Sequence, residues 1–215
     1  MTLTASQIRY LPNLNYLQRI AKADVFVIMD SVQFNKRDYE HRNNFQINGN
    51  MKMLSLEVGK VKRGTLVRDV TFNVNAMLKE HKELIKKEYS HTEYYSPDLV
   101  EKLFKVPQND NFFDFSKHSL LVILDYLEIS TDVNLQSHIE KFSDYNKGIS
   151  DMMNKFKCDT YISGSGGRNY LKEADYDIKY HSTLLNYKYS VLHYLFTIGK
   201  DSVKELIENN YEVED

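Results

Sequence analysis

The run ADVFVIMD, Ala23 to Asp30, decides how this chain folds. Val25, Phe26, Val27, Ile28 and Met29 follow one another without a polar break. A β-branched and aromatic run of this kind, closed by an aspartate at each side, is the pattern of a strand buried on both faces, and such strands belong to parallel sheets. Upstream, TLTASQI (residues 2–8) alternates as a strand does. After Pro12, NLNYLQRIAKA places Leu14, Leu17, Ile20 and Ala21 at helical spacing. The first 30 residues therefore read as a strand, a helix and a second strand, the repeating unit of an α/β fold.

Downstream, NFQINGNMKMLSLEV holds Asn48-Gly49 between alternating segments. This is a hairpin signal, because a type I′ turn needs positive φ at both central residues. With a further strand expected at RDVTFNV (68–74), an antiparallel hairpin insertion is predicted near residues 43–73. Asn75 is placed to cap a helix through residues 76–90, and Ser96-Pro97 opens another. FFDFSKHSLLVILDYLEI reads as a third, so a helical segment covers residues 75–128. The last third alternates again: strands at TDVNLQ, TYISG and DIKYHS, a helix at DYNKGISDMMNKFK, a short helix from about Arg168, and helices from Ser190 onward. The expected fold is α/β, a mostly parallel sheet flanked by helices, forming one domain over residues 1–215.

Composition narrows the function. The chain has 215 residues, 42% hydrophobic and 27% charged, with a formal net charge of -2. That is ordinary for a globular protein and supplies no long-range field for nucleic acid. Cys158 is the one cysteine, so no internal disulfide can form, and a thiolate zinc site lacks ligands. The first residues carry no basic leader, and no apolar run reaches the length of a membrane span. A cytoplasmic protein with no membrane span and no nucleic-acid partner is the expectation. A homo-oligomer is compatible with the sequence.

In open α/β sheets ligands bind beyond the carboxyl ends of the strands, which singles out three loops. The first contributes Gln7, Tyr10 and Tyr16. The second contributes Asp30, Gln33, Lys36, Arg37, His41 and Arg42. The third is the glycine stretch TYISGSGGRNYL, with Gly164, Gly166, Gly167, Arg168 and Tyr170. All three are expected to face one crevice. Asp30 ends a buried strand, where a carboxylate can act as a base or bind donors, and Arg42 can grip an anion in bidentate fashion. The glycine stretch lacks the third glycine of the dinucleotide fingerprint and the Gly-Lys-Ser/Thr ending of a P-loop. His81 lies on an apolar helical stripe, the usual place of a packed histidine. The histidine pairs lack metal-ligand spacing. No metal site is expected, and no cofactor is evident.

Several stretches together resemble the WbqC-like family, whose members carry patterns of the form HQPNYLPWLGY, ADVFVILDDVQF and ADTYLSGPGGRDYL. The matching stretches here are SQIRYLPNLNY, ADVFVIMDSVQF and CDTYISGSGGRNYL, with MLKEHKELIKKEYSHTEYY, FDFSKHSLLVILDYLEI and YSVLHYLFTIG alongside. The resemblance runs nearly from end to end. Gln7, Tyr10, Asp30, Gln33, Arg42, His81, Gly164, Gly166, Gly167, Arg168 and Tyr170 keep the pattern. Ser6 stands where the family has histidine, Ile8 where it has proline, Ser31 and Asn169 where it has aspartate.

The resemblance implies a transferase of surface-glycan (O-antigen type) or specialised-metabolite biosynthesis, attaching an acyl or aminoacyl group to an amino sugar or similar amine. Its substrate would be a small anionic molecule, a nucleotide sugar or a thioester. On this reading Asp30 and His81 are the catalytic candidates, and Gln7, Tyr10, Gln33, Arg42, Gly164, Gly166, Gly167, Arg168 and Tyr170 bind substrate. If a family histidine served as base, its replacement by Ser6 shifts that work to Asp30 or His81. Two alternatives stand beside it. One is a non-catalytic binding or assembly subunit descended from such an enzyme, favoured by the thinned titratable positions. The other is a nucleotidyl-transfer-like enzyme, disfavoured because no histidine precedes His41.

Overall fold

The computed structural model describes residues 1–72, 74–105, 110–139, 145–169, 171 and 175–214, with the side chains of residues 74–76 and 145 left aside. The buried run of residues 25–28 is β2 (Val25–Ile28), every residue of it buried. It lies parallel to β1 (Thr2–Ser6) on one side and to β5 (Asp132–Leu135) on the other. Beyond β1 the sheet continues through β6 (Thr160–Gly164) and β7 (Asp177–Thr183), both parallel, and ends on an antiparallel β8 (Tyr211–Glu214). The strand order is β5-β2-β1-β6-β7-β8.

The alternation along β2 divides the core into two layers. Val25, Val27 and Met29 pack with Leu3, Ala5 and Tyr161 against Ile149, Met152 and Met153 of α5 (Tyr145–Phe156). Phe26 and Ile28 face the larger layer. There they meet α1 (Leu14–Lys22), α2 (Val74–Tyr89), α3 (Pro97–Leu103), α4 (Phe112–Tyr126), α6 (Val191–Ile198) and α7 (Lys200–Asn209).

The insertion forms a separate two-stranded sheet, β3 (Arg42–Ile47) against β4 (Asn50–Ser55). Asn48 and Gly49 have φ of 51° and 73°, both positive as the turn demands. Its inner side chains Phe45, Ile47 and Leu54 join the larger core layer.

Four local expectations are corrected. RDVTFNV is no strand: Val67–Asp69 is a 3-10 turn, and Thr71 and Phe72 make single bridges to Asn111 and Val58. The backbone there bonds to the loop after β2, Val67 N–H to Val32 C=O and Arg68 N–H to Asp30 C=O, so no extended edge is left to pair. The helix α2 starts at Val74, which puts Asn75 inside its first turn. The short helix expected from Arg168 is a 3-10 turn over Ser165–Asn169. Finally, the helices after Ser190 end at Asn209, and the chain returns to the sheet as β8.

Candidate functional site

The chain runs from β1 through α1 to β2 and on to β5 in one direction, then crosses back to add β6 and β7 on the other side of β1. The order therefore reverses between β1 and β6, and at such a switch point the two outgoing loops diverge and leave a crevice. Two adjoining clefts occupy it. One, of about 360 Å³, is lined by Arg9, Asn13, Asn15, Tyr16, Arg19 and His181, with Gly164, Ser165, Ser182 and Thr183. The other, of about 270 Å³, is lined by Ser6, Gln7, Met29, Tyr161, Ser163 and the Gly164–Gly167 loop, and shares Arg9 and Arg19 with the first.

Local sequence explains how these side chains arrive. Asn13 caps α1, its side chain accepting the Tyr16 N–H at 3.3 Å, and Leu14, Leu17 and Ile20 bury the opposite face. That leaves Asn15 and Arg19, four residues apart, on one side of the helix. The Tyr16 hydroxyl donates to the Gln7 carbonyl at 2.9 Å, tying α1 to the loop after β1. Arg9 lies near the rings of Tyr16 and Tyr39, 5.7 and 5.9 Å from their centroids. Gly164 is in register with His181 on β7. A Cβ on Gly164 would stand 2.8 Å from Arg19 Nη1, so the guanidinium lies close against the glycine backbone and any added side chain would push it aside.

The electrostatics are one-sided. Among the described residues neither cleft is lined by an aspartate or glutamate, whereas both are lined by Arg9 and Arg19. Arg19 Nε is buried without a hydrogen-bond partner among them. Burial first, and the Arg19 charge second, hold the His181 imidazole down to about pKa 4. An arginine pair without carboxylates, a neutral histidine and amide and hydroxyl groups make a site for an anion carrying further polar groups.

The residues expected from sequence divide between this site and other places. Gln7, Gly164, Gly166 and Gly167 line the smaller cleft. Asp30, Gln33 and Arg42 are not among the residues lining these two clefts, and the loop after β2 bonds to the 3-10 turn at Val67–Asp69. Asp30, 2% exposed, accepts the Ser137 N–H at 2.8 Å and the Ser31 hydroxyl at 3.3 Å, and so fastens the end of β2 to that of β5. Gln33 is exposed and bridges Leu66. Arg42 donates to the carbonyls of Asp38 and Arg37 at 3.2 and 2.5 Å, closing its own loop.

Tyr10 and His81 are both buried, the phenol and His81 Nδ1 2.8 Å apart, and neither lines the clefts. Burial lowers His81 to about pKa 4. Arg168 pairs with Glu214 on β8 at 2.9 Å and lies 4.1 Å over the Tyr180 ring. Tyr170 lies outside the described residues. No group of three His, Cys, Asp or Glu side chains among the described residues is placed to hold a metal ion, and no helix among them is long and apolar enough to cross a membrane.

Arg9, Asn15, Arg19 and His181 were not marked from sequence. Arg9 follows a strand end and was within reach of that rule. Asn15 and Arg19 form a polar i, i+4 pair beside a capped, apolar helix face, which is a weak signal. His181 needed the register of β7 against β6, which no local pattern carries.

An open, mostly parallel α/β sheet with an arginine-lined crevice at its switch point defines the class, an α/β protein of the open-sheet kind. The family follows from comparison: the model of the WbqC-like protein family matches residues 7–199, and the chain belongs to that family. It is also similar to the "Uncharacterized protein Rv1507c" of Mycobacterium tuberculosis (strain ATCC 25618 / H37Rv), 24% identical over 174 residues, 80% of this chain and 75% of that protein.

Proposed function

We propose that this protein is a transferase of surface-glycan (O-antigen type) or specialised-metabolite biosynthesis. It takes an anionic substrate, a nucleotide sugar or a thioester, in the paired clefts at the ends of β1 and β6. The transferred group is acyl or aminoacyl, and the acceptor is an amino sugar or similar amine. One observation carries the reading: two arginines at a topological switch point, lining clefts that no described carboxylate lines. Arg9 and Arg19 would hold the anionic part, with Gln7 and Ser165 on either side. Asp30 would support the site indirectly by fixing the β2–β5 end, and His81 by holding Tyr10 beneath it.

A second reading, a binding subunit without turnover, is favoured by Ser6. It lines the smaller cleft where the family pattern has histidine, and the described residues lining both clefts include no carboxylate to serve as base.

A panel of nucleotide sugars, coenzyme A esters and nucleoside triphosphates in a thermal-shift assay tests the site. A ligand at a hundred times its Kd adds about 2.7 kcal/mol, or roughly 5 to 10 °C for a chain of this size. Arg19→Ala should abolish that shift. Product mass after incubation with amino sugars and acyl or aminoacyl thioesters then separates the readings: a new amide mass supports transfer, and binding without product supports the subunit. A panel without any shift would reject both.

A further inference from the structure

Seven buried side-chain polar atoms among the described residues have no hydrogen-bond partner, and three of them belong to residues lining the larger cleft: Asn15 Oδ1, Arg19 Nε and His181 Nε2. His181 is 5% exposed. A buried polar atom left unpaired is costly, so a cluster of three on one cleft reads as a set of positions for a ligand's atoms.

Their chemistry says what that ligand carries. Arg19 Nε–H is a donor and requires an acceptor, best an anionic oxygen. Asn15 Oδ1 is an acceptor and requires a donor. With its charge suppressed by burial, the His181 ring carries one N–H and one lone pair, and the Nδ1–H tautomer leaves that lone pair on Nε2. A bare phosphate answers Arg19, but its dianion carries a single O–H and cannot also serve two acceptors. The ligand must bring O–H groups close to its anionic group.

A flat base is poorly served. Among the described residues Tyr16 is the one tyrosine, phenylalanine or tryptophan lining this cleft, and its ring is already engaged, with Phe26 at 5.8 Å edge-on and Arg9 at 5.7 Å. The volume of about 360 Å³ lies at the small end of ligand sites, which span about 300–1,000 Å³.

We propose that the larger cleft takes the hydroxylated ring of a sugar phosphate, with its phosphate on Arg19 and Arg9 and its hydroxyls donating to Asn15 Oδ1 and His181 Nε2. This rests on reading the crevice as the substrate site, and it assigns the sugar, rather than a nucleobase or an acyl chain, to this half of it.

Calorimetry on the full chain with glucose 1-phosphate, inorganic phosphate and AMP tests it. Glucose 1-phosphate should bind at least tenfold tighter than inorganic phosphate and tighter than AMP. Asn15→Leu and His181→Phe should each weaken glucose 1-phosphate at least tenfold more than they weaken inorganic phosphate. Arg19→Ala should lose both ligands.

The wild-type protein supplies an independent readout that no folding defect can mimic. The His181 Nε2 nitrogen resonance should move toward its hydrogen-bonded position with glucose 1-phosphate, and by more than with inorganic phosphate. Equal affinities for the two phosphates, tighter AMP binding or a static His181 resonance would overturn the sugar assignment while leaving the anion site standing. Failure of every anion to bind would overturn the substrate-site reading as well.

Discussion

Gly164, Gly166 and Gly167 stand side by side, yet each faces a different constraint. A Cβ on Gly167 would run into the Ser163 side chain and come within 3.1 Å of Leu171 Cδ1, whereas one on Gly166 meets nothing within 4 Å. Gly167→Ala should therefore cost about 1–3 kcal/mol through overpacking, and Gly166→Ala should stay within about 0.5 kcal/mol. Urea denaturation of both variants checks the contrast. Gly164→Ala presses on Arg19 instead, so its loss should appear in anion affinity more than in the urea midpoint. Tyr10→Phe removes the hydroxyl bonded to His81 Nδ1 and leaves a buried ring nitrogen unpaired, at a cost of about 1–3 kcal/mol in the same assay. The glycine stretch is legible in the sequence as a strand-end loop. That its close partner is Arg19 is not, since contact across 145 positions leaves no trace in local pattern.

The elements with strong periodicity or a chemically demanding turn were readable: β2 from its unbroken apolar run, the hairpin from Asn48-Gly49, α4 from its apolar length. The short edge strand β8 was not, because YEVE alternates over four residues only and follows a helix. Arg168 helps to hold β8 in place through Glu214 and stacks on Tyr180 of the neighbouring strand. Such an exposed pair is worth little by itself, about 0–1 kcal/mol. Arg168→Ala should lower global stability by no more than about 1 kcal/mol while markedly speeding amide exchange in Tyr211–Glu214. Unchanged protection there would show that β8 is held by its ladder alone. RDVTFNV misleads for a related reason: it is strand-like in composition, but its amides go one by one to Asp30, to the carbonyls of Leu66 and Val67, and to Asp110, tertiary and turn demands that override propensity.

Over the whole molecule, buried titratable groups set how stability depends on pH. His41, His81 and His181 are each 5% exposed, and burial lowers each to about pKa 4. Between the unfolded value of 6.5 and pH 4 the unfolded chain takes up protons that the folded one refuses, so stability falls as pH falls through that window. Glu40 works in the opposite sense. Burial raises it to about 7, so between pH 4.5 and 7 the folded chain keeps a proton that the unfolded chain has lost, and stability falls as pH rises. Three groups outweigh one below pH 6.5, at up to roughly 1.4 kcal/mol per pH unit for each. The urea midpoint should rise steeply from about pH 5 to about pH 6.5 and level off toward about pH 8, and Glu40→Gln should steepen the rise between about pH 4.5 and 7. The placement of β1 carries a consequence for how the molecule is made. Its Thr2 and Leu3 pair with Thr160 and Tyr161, so during synthesis β1 keeps one edge unpaired until some 160 further residues have followed it. Loop closure over such a span is slow, and during that interval the growing chain offers an apolar strand edge to chaperones or to other nascent chains.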